Sequence, residues 1–169
     1  MEAEINIKSD NNEIQLKKNE NILRLYIKDS KGKKTGEYLE FNLEDIELPL
    51  KYQELIEKDK KNREYLKNQF TIIEKKQDHA GKKLLSANEE AKIKAMVEFY
   101  NKQIEVYNMF LGENGVQKLL NGAKVSWSTF EYIDNIIEEQ IMPKLQVNAE
   151  DIKSKIIKKY SVKRDDVIE

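Results

Sequence analysis

Histidine is the side chain that most readily exchanges a proton near neutral pH, and this chain has one, His79. A general base or metal ligand needs supporting groups, and Asp78 is the only acid beside it, in a polar stretch next to Gly81. There is no cysteine, which excludes thiolate nucleophiles, disulfides and thiolate metal sites. A Ser-His-Asp arrangement would have to run through that one imidazole. His79 is therefore read as a solvated loop residue. The adjacent acids Glu89-Glu90 and Glu138-Glu139 fall in helical stretches, where sequence neighbours splay by about 100° and cannot flank one bond. No Asp-x-Asp-x-Asp-Gly calcium loop and no glycine-rich phosphate loop is present. The densest glycine cluster, Gly112-Glu113-Asn114-Gly115, carries an acid that would repel phosphate, and it reads as a helix stop. From these residues we expect no enzyme, no cofactor and no metal.

Interaction residues are the stronger signal. Ile93, Val97, Tyr100, Ile104, Tyr107 and Leu111 recur at steps of four and three, one stripe along a helix and the seam by which antiparallel helices dock. A matching stripe runs through Tyr52, Ile56, Asp59, Arg63, Leu66, Phe70 and Ile73, with a polar pair in its middle. That break could face solvent, form a buried ion pair or meet a partner; the rarity of buried charges favours solvent. Trp127 reads as a core or staple residue, with an interface hot spot as the alternative. Tyr100 and Tyr107 read as core, with hydroxyls that would tolerate a wet interface. Tyr52, Asp59, Arg63, Tyr100, Tyr107 and Trp127 are thus the candidate partner-binding residues.

The elements that must position them follow from composition and punctuation. Of 169 residues, 39% are hydrophobic and 36% charged, so the apolar residues must be gathered on faces. The net charge of −1 argues against a dedicated nucleic-acid binder. No run approaches the roughly 18 apolar residues that span a bilayer, and Met1-Glu2-Ala3-Glu4 does not open a signal peptide. A soluble, cytoplasmic protein is expected.

Residues 1–47 read as a β-rich element of three or four strands. It includes a hairpin from Ile22–Ile27 to Tyr38–Leu43, turned through Asp29–Gly36. A lone hairpin is marginal in water, so either the earlier strand-like pieces join its sheet or the sheet packs on a helix. Pro49, tolerated in a first helical turn, opens a helical domain over 48–160. Its frame is a hairpin of two long antiparallel helices, from Leu50 to Leu111. Ser86-Ala87-Asn88-Glu89 is a capping box at the second helix. A short helix over Val116–Leu120 follows. A second box is read at Ser128–Glu131, with Trp127 and Tyr132 as its staple. Phe130, Ile133, Ile137 and Ile141 line the next helix, which Pro143 kinks or ends. Asn148 is read as capping a last helix with Ile152, Ile156 and Tyr160 inward, before a charged tail, 161–169. The fold class is α+β, mainly α.

Three stretches carry a resemblance. Glu37-Tyr38-Leu39-Glu40-Phe41-Asn42-Leu43-Glu44-Asp45-Ile46 leads into Leu48-Pro49-Leu50-Lys51-Tyr52. Later come Phe110-Leu111-Gly112-Glu113-Asn114-Gly115 and Lys118-Leu119-Leu120-Asn121-Gly122. Across residues 37–122 this order resembles the tail-assembly-chaperone-like proteins of phages and prophages of low-GC Gram-positive bacteria. The resemblance implies a non-enzymatic assembly factor that binds tape measure or tail tube proteins in the host cytoplasm, with no nucleic-acid or membrane partner and room for a homo-oligomer. It brings no catalytic residues. Two other classes stay open: a minor structural component of the tail or neck, which would reside in the virion, and a helical regulatory or host-targeting module unrelated to tails.

Overall fold

The computed structural model describes residues 21–79 and 84–147, the strands β1 (Ile5–Ile7) and β2 (Ile14–Leu16), and residues 150, 151 and 154. β1 and β2 pair antiparallel with each other, Ile7 opposite Ile14. β3 (Ile22–Lys28) and β4 (Lys34–Asn42) form a second two-stranded sheet. The first pair therefore does not enlarge the hairpin. Helices complete it instead. Period-two alternation puts Leu23, Leu25, Ile27, Leu39 and Phe41 on the face that packs into the core. Arg24 and Glu40 pair on the other face at 2.7 Å. At the turn, the Asp29 carboxylate accepts from the backbone N–H groups of Lys31 and Lys33, 2.9 and 2.8 Å away.

α1 (Leu48–Glu74) carries Pro49 in its first turn, where no N–H is missed. α2 (Ala87–Leu111) starts at the expected capping box: Ser86 N–H donates to Glu89 Oε2 (2.7 Å), and Ser86 Oγ accepts from Glu89 N–H (3.2 Å). Gly112, at φ 93°, closes it in a conformation costly for any side chain. The two helices form the expected antiparallel hairpin, but its seam differs from the expected stripes. Ile56 is half exposed, as are Ile93 (49%) and Val97 (54%), while Leu55, Phe99, Gln103 and Phe110 are buried. The stripe on α2 had merged two interfaces. Gln103 and Phe110 turn to α1, meeting Asn62 and Tyr52, whereas Tyr100 and Tyr107 pack on Phe130.

Phe130 belongs to α4 (Trp127–Ile136), reached through α3 (Gly115–Leu120). The cap of α4 lies two residues earlier than expected. Ser126 is the N-cap, and its N–H donates to Thr129 Oγ1 at 2.9 Å. Trp127 and Tyr132 are both exposed and form no staple. Pro143 does not end the helix either. A π turn, Ile137–Ile141, precedes it, and the chain is α-helical again over 142–147. Widening the turn makes room for a proline ring that would otherwise clash with the carbonyl one turn back. It also suits the burial of Ile133, Ile137, Ile141 and Leu145 at steps of four, which would drift by about 40° per step in a strict α-helix.

The core joins Leu39 and Phe41 to Leu48, Leu55, Phe110, Val116, Phe130, Ile137 and Ile141. Leu66 and Ile73 are buried outside it, along the hairpin's far half. Asn148, Ile152, Ile156, Tyr160 and the tail lie outside the described residues. Among the described residues no helix is long and apolar enough to cross a membrane.

Candidate functional site

The polar pair in the first stripe does not simply face solvent. Arg63 lies one turn after Asp59 on α1, and its Nε donates to both carboxylate oxygens, at 2.9 and 2.8 Å. From α2, the Gln103 side chain donates to Asp59 Oδ1. The Gln103 carbonyl in turn accepts from Asn62 Nδ2 at 2.8 Å. Gln103 has no exposed surface, so an unmade bond there would cost its full desolvation. Every buried side-chain nitrogen and oxygen among the described residues has a partner. α4 closes the layer: Asp134 Oδ1 accepts from the Tyr107 hydroxyl at 2.5 Å, and Asp134 Oδ2 stands 3.7 Å from Arg63 Nη2. The Arg63 guanidinium also lies over the Trp127 ring, 5.8 Å from its centroid.

Four candidate residues are thereby brought together: Asp59, Arg63, Tyr107 and Trp127. Tyr52 lies nearby, lining a cleft of about 240 Å³ with Asp59, Tyr107, Asp134 and Glu138. Tyr100 stands apart from the polar groups, its ring tilted against Phe99 and Phe130. Asn62, Gln103 and Asp134 were missed, although each sits at helical spacing from apolar core residues: Asn62 seven residues from Leu55, Gln103 four from Phe99 and seven from Phe110, Asp134 four from Phe130 and three from Ile137. Polar residues at core register were the available signal.

The electrostatics follow from partial burial. Asp134 is harder to ionise than an ordinary aspartate, first because burial strips its water and then because Asp59 repels it; the Tyr107 hydrogen bond and Arg63 act the other way. Burial, and then the bond to Asp134, push the Tyr107 hydroxyl far above its usual range, so it remains a donor. The Arg63 guanidinium is held more firmly protonated, chiefly by its bond to Asp59. A cleft with carboxylates between phenol rings is chemically suited to a cation, and the chain's own Arg63 supplies one at its edge. Among the described residues no three histidine or carboxylate groups are placed to hold a metal ion. His79 is exposed, and its carbonyl accepts from Ala87 N–H at 3.4 Å.

A second feature lies next to the polar layer. α4 runs in the groove between α1 and α2 and begins at Trp127, stacked on Phe99 at 5.8 Å. Beyond Trp127, towards the hairpin tip, the α2 stripe that carries Tyr100 continues as Val97 and Ile93, half exposed. Ile72 near the end of α1 is also half exposed, and Leu84 in the tip connection is 98% exposed. Among the described residues the bundle thus has three helices near the sheet and two near its tip. Compared with protein-family models, with curated proteins and with solved structures, the chain matches none.

Proposed function

We propose that the protein is a non-enzymatic assembly factor whose hairpin docks a helix of another protein, and specifically a chaperone of phage tail assembly that binds tape measure or tail tube proteins. The observation that carries the reading is the half-exposed groove beyond Trp127, which no described helix fills. There Ile93, Val97 and Trp127 offer apolar surface in line with the one that α4 buries lower down. An amphipathic helix laid in that groove would continue the third position of the bundle, the mode in which apolar anchors at steps of three and four fill a groove. A tape measure protein is a long helical chain and supplies such a partner. The resemblance over residues 37–122 supports the same assignment.

The test is to sequence the gene neighbourhood, co-express the chain with any tape measure and tail tube proteins encoded there, and pull it down. The parent chain should retain one of them. Ile93→Glu with Val97→Glu should lose it while melting as the parent does, because both positions are half exposed. A gene neighbourhood without a tape measure gene would sink the tail reading, as would a parent chain that retains neither protein. Mass spectrometry of purified particles separates a chaperone, which is absent from them, from a structural component.

A further inference from the structure

The outer edge of β3 is a second surface, independent of the helical groove. A hydrogen bond from Leu43 N–H to the Asn21 carbonyl, 2.8 Å, sets the phase of the antiparallel ladder. With Leu23 opposite Phe41 and Leu25 opposite Leu39, these pairs exchange the ladder bonds. The alternation then turns the N–H and C=O of Ile22, Arg24 and Tyr26 away from β4. Among the described residues β4 is the only strand beside β3, so this row of backbone groups faces no strand.

A cavity of about 350 Å³ meets the end of the row at Tyr26, touching the consecutive residues Leu25 to Lys28, and reaches Leu39 on β4. Consecutive strand side chains point to opposite faces, and Leu39 lies on the core face, so the cavity opens at the edge of β3 and reaches under that face. Its far wall is a stripe at steps of four, Tyr132, Ile136 and Gln140, continuing from α4 into the π turn, and Leu119 also lines it. An unpaired strand edge beside a helix, with an apolar hollow between them, is the geometry in which an extended peptide gains backbone bonds on one side and a side-chain pocket on the other. The hairpin turn at one end is basic. Lys28, Lys31, Lys33 and Lys34 are all exposed there, and the one acid among them, Asp29, is engaged by backbone N–H groups.

We propose that this groove takes an extended, acidic peptide segment of a partner protein as a third strand of the β3–β4 sheet, with an apolar side chain in the cavity and carboxylates beside the lysine turn. The experiment is ¹⁵N NMR titration of the full chain with two capped six-residue peptides, one alternating valine with glutamate and one alternating valine with lysine. The glutamate peptide should shift the Arg24 and Tyr26 amides saturably and slow their hydrogen exchange, leaving Leu23 and Leu25 exchange unchanged. The lysine peptide should bind about tenfold more weakly, because it sets like charges against the turn. Arg24→Pro removes one outward N–H without breaking the ladder to β4, and Tyr132→Ala lowers the helical wall. Each should weaken the glutamate peptide about fivefold, since each deletes one anchoring contact. If Arg24→Pro does not fold, Tyr132→Ala carries the comparison, since Tyr132 is exposed. Equal binding of both peptides, shifts confined to the helices, or Arg24 and Tyr26 amides already protected in the free protein would overturn the proposal. Protection that grows with protein concentration, with a dimer in sedimentation, would assign the edge to a second copy and overturn it too.

Discussion

Gln103 occupies a core position yet carries a carboxamide, and its three-way contact with Asp59 and Asn62 ties the two long helices at one height. The layer extends to Asp134, where the pH behaviour of the molecule can be read. Asp134 is harder to ionise in the fold than in the unfolded chain, so the stability it contributes is complete below the ordinary aspartate range. That contribution is lost as pH rises through its raised folded value. Asp45 has the opposite sign. The Lys51 ammonium at 2.9 Å and then the Glu47 N–H favour its charged form. Its contribution is complete above the ordinary range and lost as pH falls through its lowered value. In a carboxyl-detected NMR titration, Asp45 should titrate below, and Asp134 above, the usual aspartate value of about 3.9. Tyr107→Phe removes the hydrogen bond that steadies the Asp134 carboxylate and should raise the Asp134 midpoint further. A midpoint order with Asp134 below Asp45 would refute this account of the layer. Asp59 and Arg63 were legible as a polar break in a stripe. Their partners were not, because Gln103 and Asp134 come from other helices.

Among the elements, the boundaries set by local chemistry were the legible ones. Pro49, the Ser86–Glu89 box and Gly112 each act within a few residues, so their effect can be read without knowing what packs around them. The Ser126 cap was misplaced because several serines and threonines compete there, and the choice between them depends on where Trp127 can stack on Phe99. Gly115 is a glycine for a reason outside its own segment. A Cβ there would stand 2.5 Å from Leu111 Cβ and 3.6 Å from Leu39 Cδ2. The first distance is below any ordinary contact and the second is an ordinary one, so α3 would have to move off α2. Gly115→Ala should therefore destabilise the protein by about 1–3 kcal/mol, the usual cost of overpacking, read as a lower urea midpoint with an unchanged slope. A variant as stable as the parent would show that α3 is free to shift.

At the scale of the molecule, the hairpin is unevenly supported. Its half nearer the sheet is packed by β3, β4, α3 and α4 into one core, whereas Leu66 and Ile73 in the far half are buried outside that core. Local opening follows such differences in buried apolar contact. Amides over 66–74 and 90–97 should therefore exchange faster than those over 52–59 and 103–111 by native-state hydrogen exchange. Uniform protection along both helices would mean that the tip is covered, by a second copy or by the chain itself, and would remove the groove proposed for a partner helix.

By itself the sequence determined the class of the fold, the two long helices and their main stops, and the position of the β3–β4 hairpin. Those features follow from periodicity, capping and turn chemistry, which act over one or two turns of chain. Only the tertiary structure decided which side of each stripe meets which neighbour. It made the Asp59–Arg63 break part of a shared polar layer, and it left Ile93 and Val97 half exposed while Tyr107 and Leu111 of the same stripe are buried. The physical reason is that a stripe of apolar residues records burial but not against what. With three helices and a sheet competing for the faces of α2, the assignment depends on contacts between residues far apart in the chain.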